Sequence, residues 1–426
     1  MSIITDFHIH SKFSRACSRH LDLPNIESWC QLKGIDLVAT ADFTHPAWFK
    51  ELNEKLEECD TGIYRLRKKF RGENVDVHVP EKCKKSVRFI CSTEISLIYK
   101  RYEKVRKVHL VILAPNLEIV AKINTQLEKI GNIHSDGRPI LGLDSEELVK
   151  ILLDISPEIQ IIPAHVWTPH FAVFGSKSGF DSIEECFGEM SDHICALETG
   201  LSSDPQMNWQ ISKNDKYALI SSSDAHSPQK LGREATILET DLNYPAILQA
   251  LRHDHKKILG TIEFFPEEGK YHADGLRAEN LCLTPEETKK NNFVSPQTGK
   301  KITVGVLHRV SELADYKIGR KPKNATKVFY IIPLVEILSE ILGVGPSSKK
   351  VQQKYFLLLK KLGSEFAILK DLSIAEISAI DKILGAAIEK MRKGEIIIQP
   401  GYDGEYGVIR LFEKGENLNE NQKKLF

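Results

Sequence analysis

A short apolar run beginning at Ile3 ends in Asp6, His8 and His10, and on a strand the two histidines would face the same side. Later apolar runs end in similar groups: Asp42 and His45 in TADFTH, Glu94 in STEIS, His109 in KVHLV, His165 in PAHVW, and Asp224 and His226 in SSDAH. Imidazoles suit zinc and other late divalent ions, while carboxylates bridge ions and suit magnesium or manganese. Gathered at one rim, such donors form a multinuclear metal site that activates water and stabilises charge in a phosphoryl displacement. Any single histidine here reads more readily as a hydrogen-bonded structural residue than as a ligand. Two closely spaced pairs, His8/His10 and Asp224/His226, together with Glu94, His109 and His165 at separate run ends, are what point to metal. Asp224 is the expected principal catalytic carboxylate because it can bridge ions and orient a nucleophile, with Glu94 and His226 beside it. Arg15 and Arg233 lie close in sequence to these donors and would either neutralise phosphate oxygens or pair with a ligand carboxylate.

Elements must bring these residues together. Up to about residue 265 the chain repeats a short apolar run, a polar turn and a helical pattern, as βα units do. The predicted strands lie in IITDFHI, GIDLVATAD, VRFICSTEISL, KVHLVILAP, IQIIPAHVW, ICALETG, YALISSSDAH and KILGTIEF. Most finish on a polar or ionisable residue, and in α/β barrels the C-terminal strand ends converge on one mouth. The expectation is therefore a barrel-like α/β catalytic domain over 1–265. A turn-rich segment, 266–320, reads as a small β-ribbon module. From 321 to 426, IIPLVEILSEIL, KYFLLLKKLGSEFAIL and AEISAIDKILGAAIEKMRKG carry helical spacing before a predicted hairpin around PGYDGEYG.

Lys+Arg and Asp+Glu both number 58, so no overall field steers the chain towards nucleic acid or an anionic membrane. Local basic runs at 65–71, 100–107 and 316–327 are candidate DNA contacts, and each reads equally as solvated surface. The eight cysteines form no CxxC pair, no apolar run approaches membrane-spanning length, and no signal-peptide core is visible. These features predict a cytoplasmic protein with reduced thiols and no membrane partner.

TDFHIHSKFSRA, TADFTHP, STEIS, PAHVW and SSDAHS together resemble the motif series of the polymerase-and-histidinol-phosphatase (PHP) family. That resemblance implies a distorted seven-stranded α/β barrel with two or three divalent ions in its mouth, zinc first, with magnesium or manganese as alternatives. IPAHVWTPHFAVFGSKSGFDSIEECFG, ALETGLSSDPQMNW and SSSDAHSPQKLGREAT, with matches running to PGYDGEYG, are similar to one branch of it, the endonuclease Q family of DNA-repair enzymes. It implies cleavage of DNA on the 5′ side of a deaminated base such as uracil or hypoxanthine, or of an abasic site. His8, His10, Asp42, Glu94, His109, His165, Asp224 and His226 are then the ligands, with Arg15 assisting. An extruded base needs a pocket. The loop after His165 offers Trp167, Phe171 and Phe174 for stacking, Gly175, Ser176 and Ser178 for hydrogen bonds, and Lys177, with Arg233, for phosphate.

Two departures qualify the match. The turn SRACS lacks an extra ligand and Phe43 stands where a histidine is common, which favours two ions and leaves Asp42 and His45 the least secure ligands. The family's zinc-ribbon turn reads SPQTGK here, with Ser295 and Thr298 at the cysteine positions and Cys282 nearby. One thiolate cannot hold a tetrahedral zinc, so this module is expected to fold without metal. Alternatives are another PHP-type phosphoesterase (an exonuclease or small-molecule phosphatase) or a non-catalytic binding protein on the same scaffold. A sliding clamp or other repair protein is an open partner for the tail, with no motif to carry it.

Overall fold

The computed structural model describes residues 2–413. The first strand, Ser2–Asp6, pairs in parallel with Leu37–Ala39, which pairs in parallel with Arg88–Ile90. Strands buried on both faces read as continuous apolar runs, as LVA does. On its other side Ser2–Asp6 pairs antiparallel with Ala235–Glu239, followed by Ile258–Glu263 and then by Lys327–Tyr330 in parallel. A hairpin, Leu56–Asp60 and Ile63–Leu66, completes this eight-stranded sheet.

A second sheet holds four strands, Ile140–Leu141, Ser92–Arg101, Lys104–Leu113 and Gln160–Pro163, and a parallel pair joins Ala196–Glu198 to Ala218–Ile220. All eight predicted runs contain a strand, and VRFICSTEISL contains two that break at Cys91. Among the described residues the ladders form separate open sheets, and no closed barrel is found among them. Single backbone bonds span the gaps instead: Val166 N–H to the Glu198 carbonyl (3.0 Å), Asp224 N–H to that of His8 (2.9 Å), and His10 N–H to that of Ala225 (3.1 Å). The first strand stops before His8 and His10, whereas Glu94 and His109, expected at strand ends, lie within the ten-residue strands Ser92–Arg101 and Lys104–Leu113.

In the small module Asp274–Leu276 pairs antiparallel with Leu281–Leu283. Thr284 and Glu287 form a capping box on the helix Pro285–Lys290. Ser295 and Thr298 both donate their hydroxyls to the carboxylate of Glu279, and Asp274 accepts from the Gly305 N–H and His308 Nδ1. The tail comprises helices Leu334–Leu342, Lys349–Leu362, Ile374–Ile380 and Lys382–Lys393. The hairpin Ile397–Gln399/Val408–Arg410 then forms around PGYDGEYG as expected.

One apolar core runs through both ends of the chain, with Ile26 and Trp29 in the same cluster as Leu334, Leu358 and Ile388. A buried ion pair locks this junction: Lys33 Nζ lies 2.7 Å from Glu365 Oε2, at 6% and 3% side-chain exposure. The same carboxylate accepts from the Tyr355 hydroxyl (2.7 Å) and from the Leu334 N–H (3.0 Å) at the start of its helix. Removing one partner of a buried pair strands the other charge. Glu365→Ala should therefore cost about 3–5 kcal/mol, seen as a lower urea midpoint by circular dichroism. Lys33→Met combined with Glu365→Leu should recover most of that loss.

Candidate metal centre

His8 and His10 follow the first strand, and both imidazoles are almost fully buried. The two oxygens of Glu198, at the end of Ala196–Glu198, lie 3.0 and 3.2 Å from His8 Nδ1. That contact fixes the ring and turns Nε2 inward, 3.6 Å from Glu94 and 3.7 Å from Asp224. His8 Nε2 is buried with no hydrogen-bond partner. His10 Nδ1 faces Ser14 Oγ (3.2 Å) and Asp42 Oδ1 (3.3 Å), and its Nε2 lies 3.0 Å from Asp224 and 3.4 Å from Glu94. On the other side of Glu94, Oε1 sits 2.6 Å from His109 Nδ1 and 3.1 Å from His165 Nε2.

The donors fall into two groups, His8–His10–Glu94–Asp224 and Glu94–His109–His165, each with its donor atoms within 4.8 Å of one another. Glu94 belongs to both. An orphaned, buried imidazole nitrogen, a shared carboxylate and three further imidazoles fit two adjacent divalent ions.

Charge bears this out. Burial opposes the ionised form of Glu94, but His109, His8 and His10 outweigh it and hold the carboxyl well below the usual range. Burial likewise disfavours a charged His8, yet Glu198 and Glu94 raise its pKa well above the ordinary imidazole value. His10 is raised in the same way by Asp224 and Asp42. His109 is pushed down to about 4, chiefly by burial, and stays neutral as a ligand must. The buried carboxylates thus draw positive charge onto neighbouring rings, and a cation would supply it.

Three of the residues here hold a positive φ without being glycine: Asp42 at 35°, His165 at 31° and Asp224 at 46°. Such strain persists only where surroundings over-determine it, and it gathers at functional sites. Around Asp224, Arg233 donates from Nε to the Ser223 carbonyl (2.7 Å) and from Nη2 to the Asp224 carbonyl (3.2 Å). Around His165, Gly200 at φ 65° leaves no room for a side chain, since a Cβ there would lie 2.4 Å from that of His165.

Several expected residues sit elsewhere. Asp42 is fully buried and already engaged: Oδ2 accepts from the Ser11 N–H and Oγ (both 2.7 Å) and from Ser14 Oγ (2.8 Å). It orients His10 rather than joining either donor group. His45 lies 3.1 Å from the His134 carbonyl and stacks on Phe13. His226 packs against His10 (ring centroids 4.5 Å apart), with its Nδ1 directed at the Asp224 carbonyl (2.8 Å), and falls outside both groups. The Arg15 side chain is 84% exposed, 4.0 Å from Asp136, and reaches no ligand.

The loop after His165 divides in two. Trp167 and Phe174 are 1% and 2% exposed, their rings pack together, and the indole N–H donates to Asn208. They are core, which corrects the stacking role expected of them: apolar area won over display. Gly175 is buried with no space for a Cβ, and Ser178 is buried within 3.4 Å of the Phe171 N–H, so both shape the loop. Phe171 is half-buried against His109 (4.6 Å between ring centroids), while Ser176 and Lys177 are exposed.

Two contributors escaped the sequence reading. Glu198 ends the run ICALETG, and its position matched the pattern used for the other donors. Arg138, whose Nη1 lies 3.0 Å from Glu94, sits in an irregular loop with no periodic signal.

A family profile described as the MJ0043 C-terminal domain matches residues 333–395. The uncharacterized protein MJ0043 of Methanocaldococcus jannaschii is 36% identical over 251 residues, covering 57% of this chain. The chain spans only 31% of that protein's length. The chain is also similar to the crystal structure of the lesion-specific endonuclease PfuEndoQ from Pyrococcus furiosus, with a TM-score of 0.83, 31% identity and 99% of each chain covered. An Endonuclease Q complex with a 27-mer duplex substrate carrying an abasic lesion at the active site aligns at a TM-score of 0.80 and 31% identity. It covers 98% of this chain and 100% of that one.

Fold and centre together define a mixed α/β protein of the metal-dependent phosphodiesterase class. Within that class, the chain belongs to the endonuclease Q family.

The role of Glu198 is directly testable. A carboxylate that orients a ligating histidine typically contributes 10- to 100-fold in metal affinity. Glu198→Ala should lose about that much, measured by calorimetric titration of zinc into chelator-stripped protein. Glu198→Gln keeps an acceptor oxygen for His8 and should lose less.

Proposed function

We propose that this chain is a DNA-repair endonuclease that cuts the phosphodiester on the 5′ side of a deaminated base or abasic site. The observation that carries the reading is the pair of donor groups sharing Glu94, in a chain that aligns over its length with Endonuclease Q bound to abasic DNA. His8, His10, Glu94 and Asp224 would hold one divalent ion and Glu94, His109 and His165 a second, with zinc suited to the imidazole-rich set and magnesium or manganese to the carboxylates. Such ions supply Lewis acidity and an activated water near neutral pH.

The chain's own residues do the rest. Glu198 and Asp42 keep His8 and His10 in one ring orientation, and Arg233 pins the strained backbone of Asp224. Asp224, about a quarter exposed, faces the opening and is placed to orient the attacking water. The oxygen of that water bonds to phosphorus as the bond to the preceding 3′ oxygen breaks. A 3′-hydroxyl and a 5′-phosphate on the damaged nucleotide remain. We read the ring of strand neighbours linked by single backbone bonds as a distorted barrel whose mouth is this centre.

Beside the centre lies a cleft of about 430 Å³ lined by Pro169, Ser202, Arg233, Lys270, Tyr271 and Tyr406, among others. Its size and its mixture of rings and polar groups suit an extruded base. Lys270 lies 5.6 and 5.8 Å from the rings of Tyr271 and Tyr406, a cation beside two aromatic faces that would favour stacked bases and a phosphate.

Asp224→Asn should abolish cutting of an oligonucleotide carrying one deoxyuridine or abasic site while leaving the circular dichroism spectrum unchanged. A chelator should abolish it in the wild type, and added divalent metal should restore it. A cut on the 3′ side of the lesion, or equal cutting of undamaged duplex, would overturn the proposal.

A further inference from the structure

We infer that Arg138 is a catalytic residue whose guanidinium holds a non-bridging oxygen of the scissile phosphate; this rests on the nuclease reading above. The residue is delivered by the loop 135–138, which is clamped onto the metal centre. Asp136 Oδ1 accepts from the backbone N–H groups of Arg15 and Arg138 (both 3.2 Å). The Gly137 N–H donates to the Phe13 carbonyl (3.0 Å), and Thr44 Oγ1 donates to that of Gly137 (3.2 Å). Gly137 is required there, because a Cβ would lie 2.3 Å from the Asp42 carboxylate that orients His10. The side chain that follows is thus fixed relative to the ligands.

Its charge sits at the rim of both donor groups. Nη1 lies 3.0 Å from Oε2 of Glu94, the shared carboxylate, and the side chain is 26% exposed. Burial opposes its charge, but Glu94 foremost, with Asp224 and Asp136, favours it.

A guanidinium offers five donors in a planar fork that matches phosphate oxygens. Among the described residues, the only side-chain hydrogen bond of Arg138 is the one from Nη1 to Glu94. The other arginines considered for phosphate are committed elsewhere. Arg15 reaches outward to Asp136, and Arg233 donates to backbone carbonyls. A cation at this rim, with donors to spare, meets the charge that builds on the equatorial oxygens during in-line displacement.

The test uses the full-length, metal-loaded protein and a duplex carrying one abasic analogue. Arg138→Gln should lower kcat on the order of 10³-fold, the scale of an arginine that stabilises phosphoryl transfer. Metal content measured by plasma mass spectrometry should stay at the wild-type level. Arg138→Lys should keep part of the rate, and added guanidinium should partly restore cutting by Arg138→Ala. Three results would overturn the inference: an Arg138→Gln rate equal to the wild type, a rate that falls only in proportion to lost metal, or no response of Arg138→Ala to guanidinium. Wild-type protein that fails to cut would instead overturn the nuclease reading, and this inference with it.

Discussion

Glu94, Glu198 and Asp42 are drawn almost completely out of water into one small volume, with Asp224 at its edge, and so much negative charge in a protein interior is costly unless it is met at close range. The chain meets it first with imidazoles. His8 and His10 each stand between two carboxylates, and His109 and His165 share the remaining oxygen of Glu94. Protonated rings are one way to balance such a cluster; divalent cations are the other, and His8 Nε2, buried and without a partner, points to the second. Much of the surrounding architecture is what it takes to hold these groups against their mutual repulsion.

That demand explains features that would otherwise look unrelated. The first strand stops before His8 and His10 and Gln160–Pro163 stops before His165, whereas Glu94 and His109 are brought in from within two long paired strands. The backbone at Asp42, His165 and Asp224 is strained, and each strained residue is held by neighbours: serine hydroxyls and Ser11 N–H on Asp42, the packed Gly200 against His165, Arg233 on Asp224. The small module and helical tail are joined to this scaffold by the strand pairing of Lys327–Tyr330 and by the buried Lys33–Glu365 contact. The cleft beside the centre is lined by residues from all three segments, from Pro169 to Tyr406, so the appended segments help to form its walls.

Much of the centre was legible in the sequence, because strand-end histidines and carboxylates announce themselves by spacing. His8 and His10 share a face by simple alternation, His165 and Asp224 follow separate apolar runs, and Glu94 and His109 lie inside theirs, on paired strands. Residues that act through another were harder to read. Asp42 looks like a ligand until three hydrogen-bond donors are found on one of its oxygens. Glu198 was overlooked although it ends a predicted strand, since only the pairing of Ala196–Glu198 with Ala218–Ile220 brings it under His8. Arg138 lies in a loop, where no periodicity exists to mark it. Trp167 and Phe174 show the converse limit: a loop next to a ligand suggested display, but their apolar area was better spent in the core. Ala235–Glu239 and Lys327–Tyr330 are short strands beside charged turns, and only long-range pairing gives them away.

On the function proposed above, two divalent ions would be held by these donors, with Glu94 common to both groups. Crystals of the full chain grown with manganese, measured at the metal's absorption edge, test it most directly. Two anomalous peaks are expected, one bounded by His8, His10, Glu94 and Asp224 and the other by Glu94, His109 and His165. Absence of both peaks, with the imidazoles still hydrogen-bonded to the carboxylates as they are here, would contradict it.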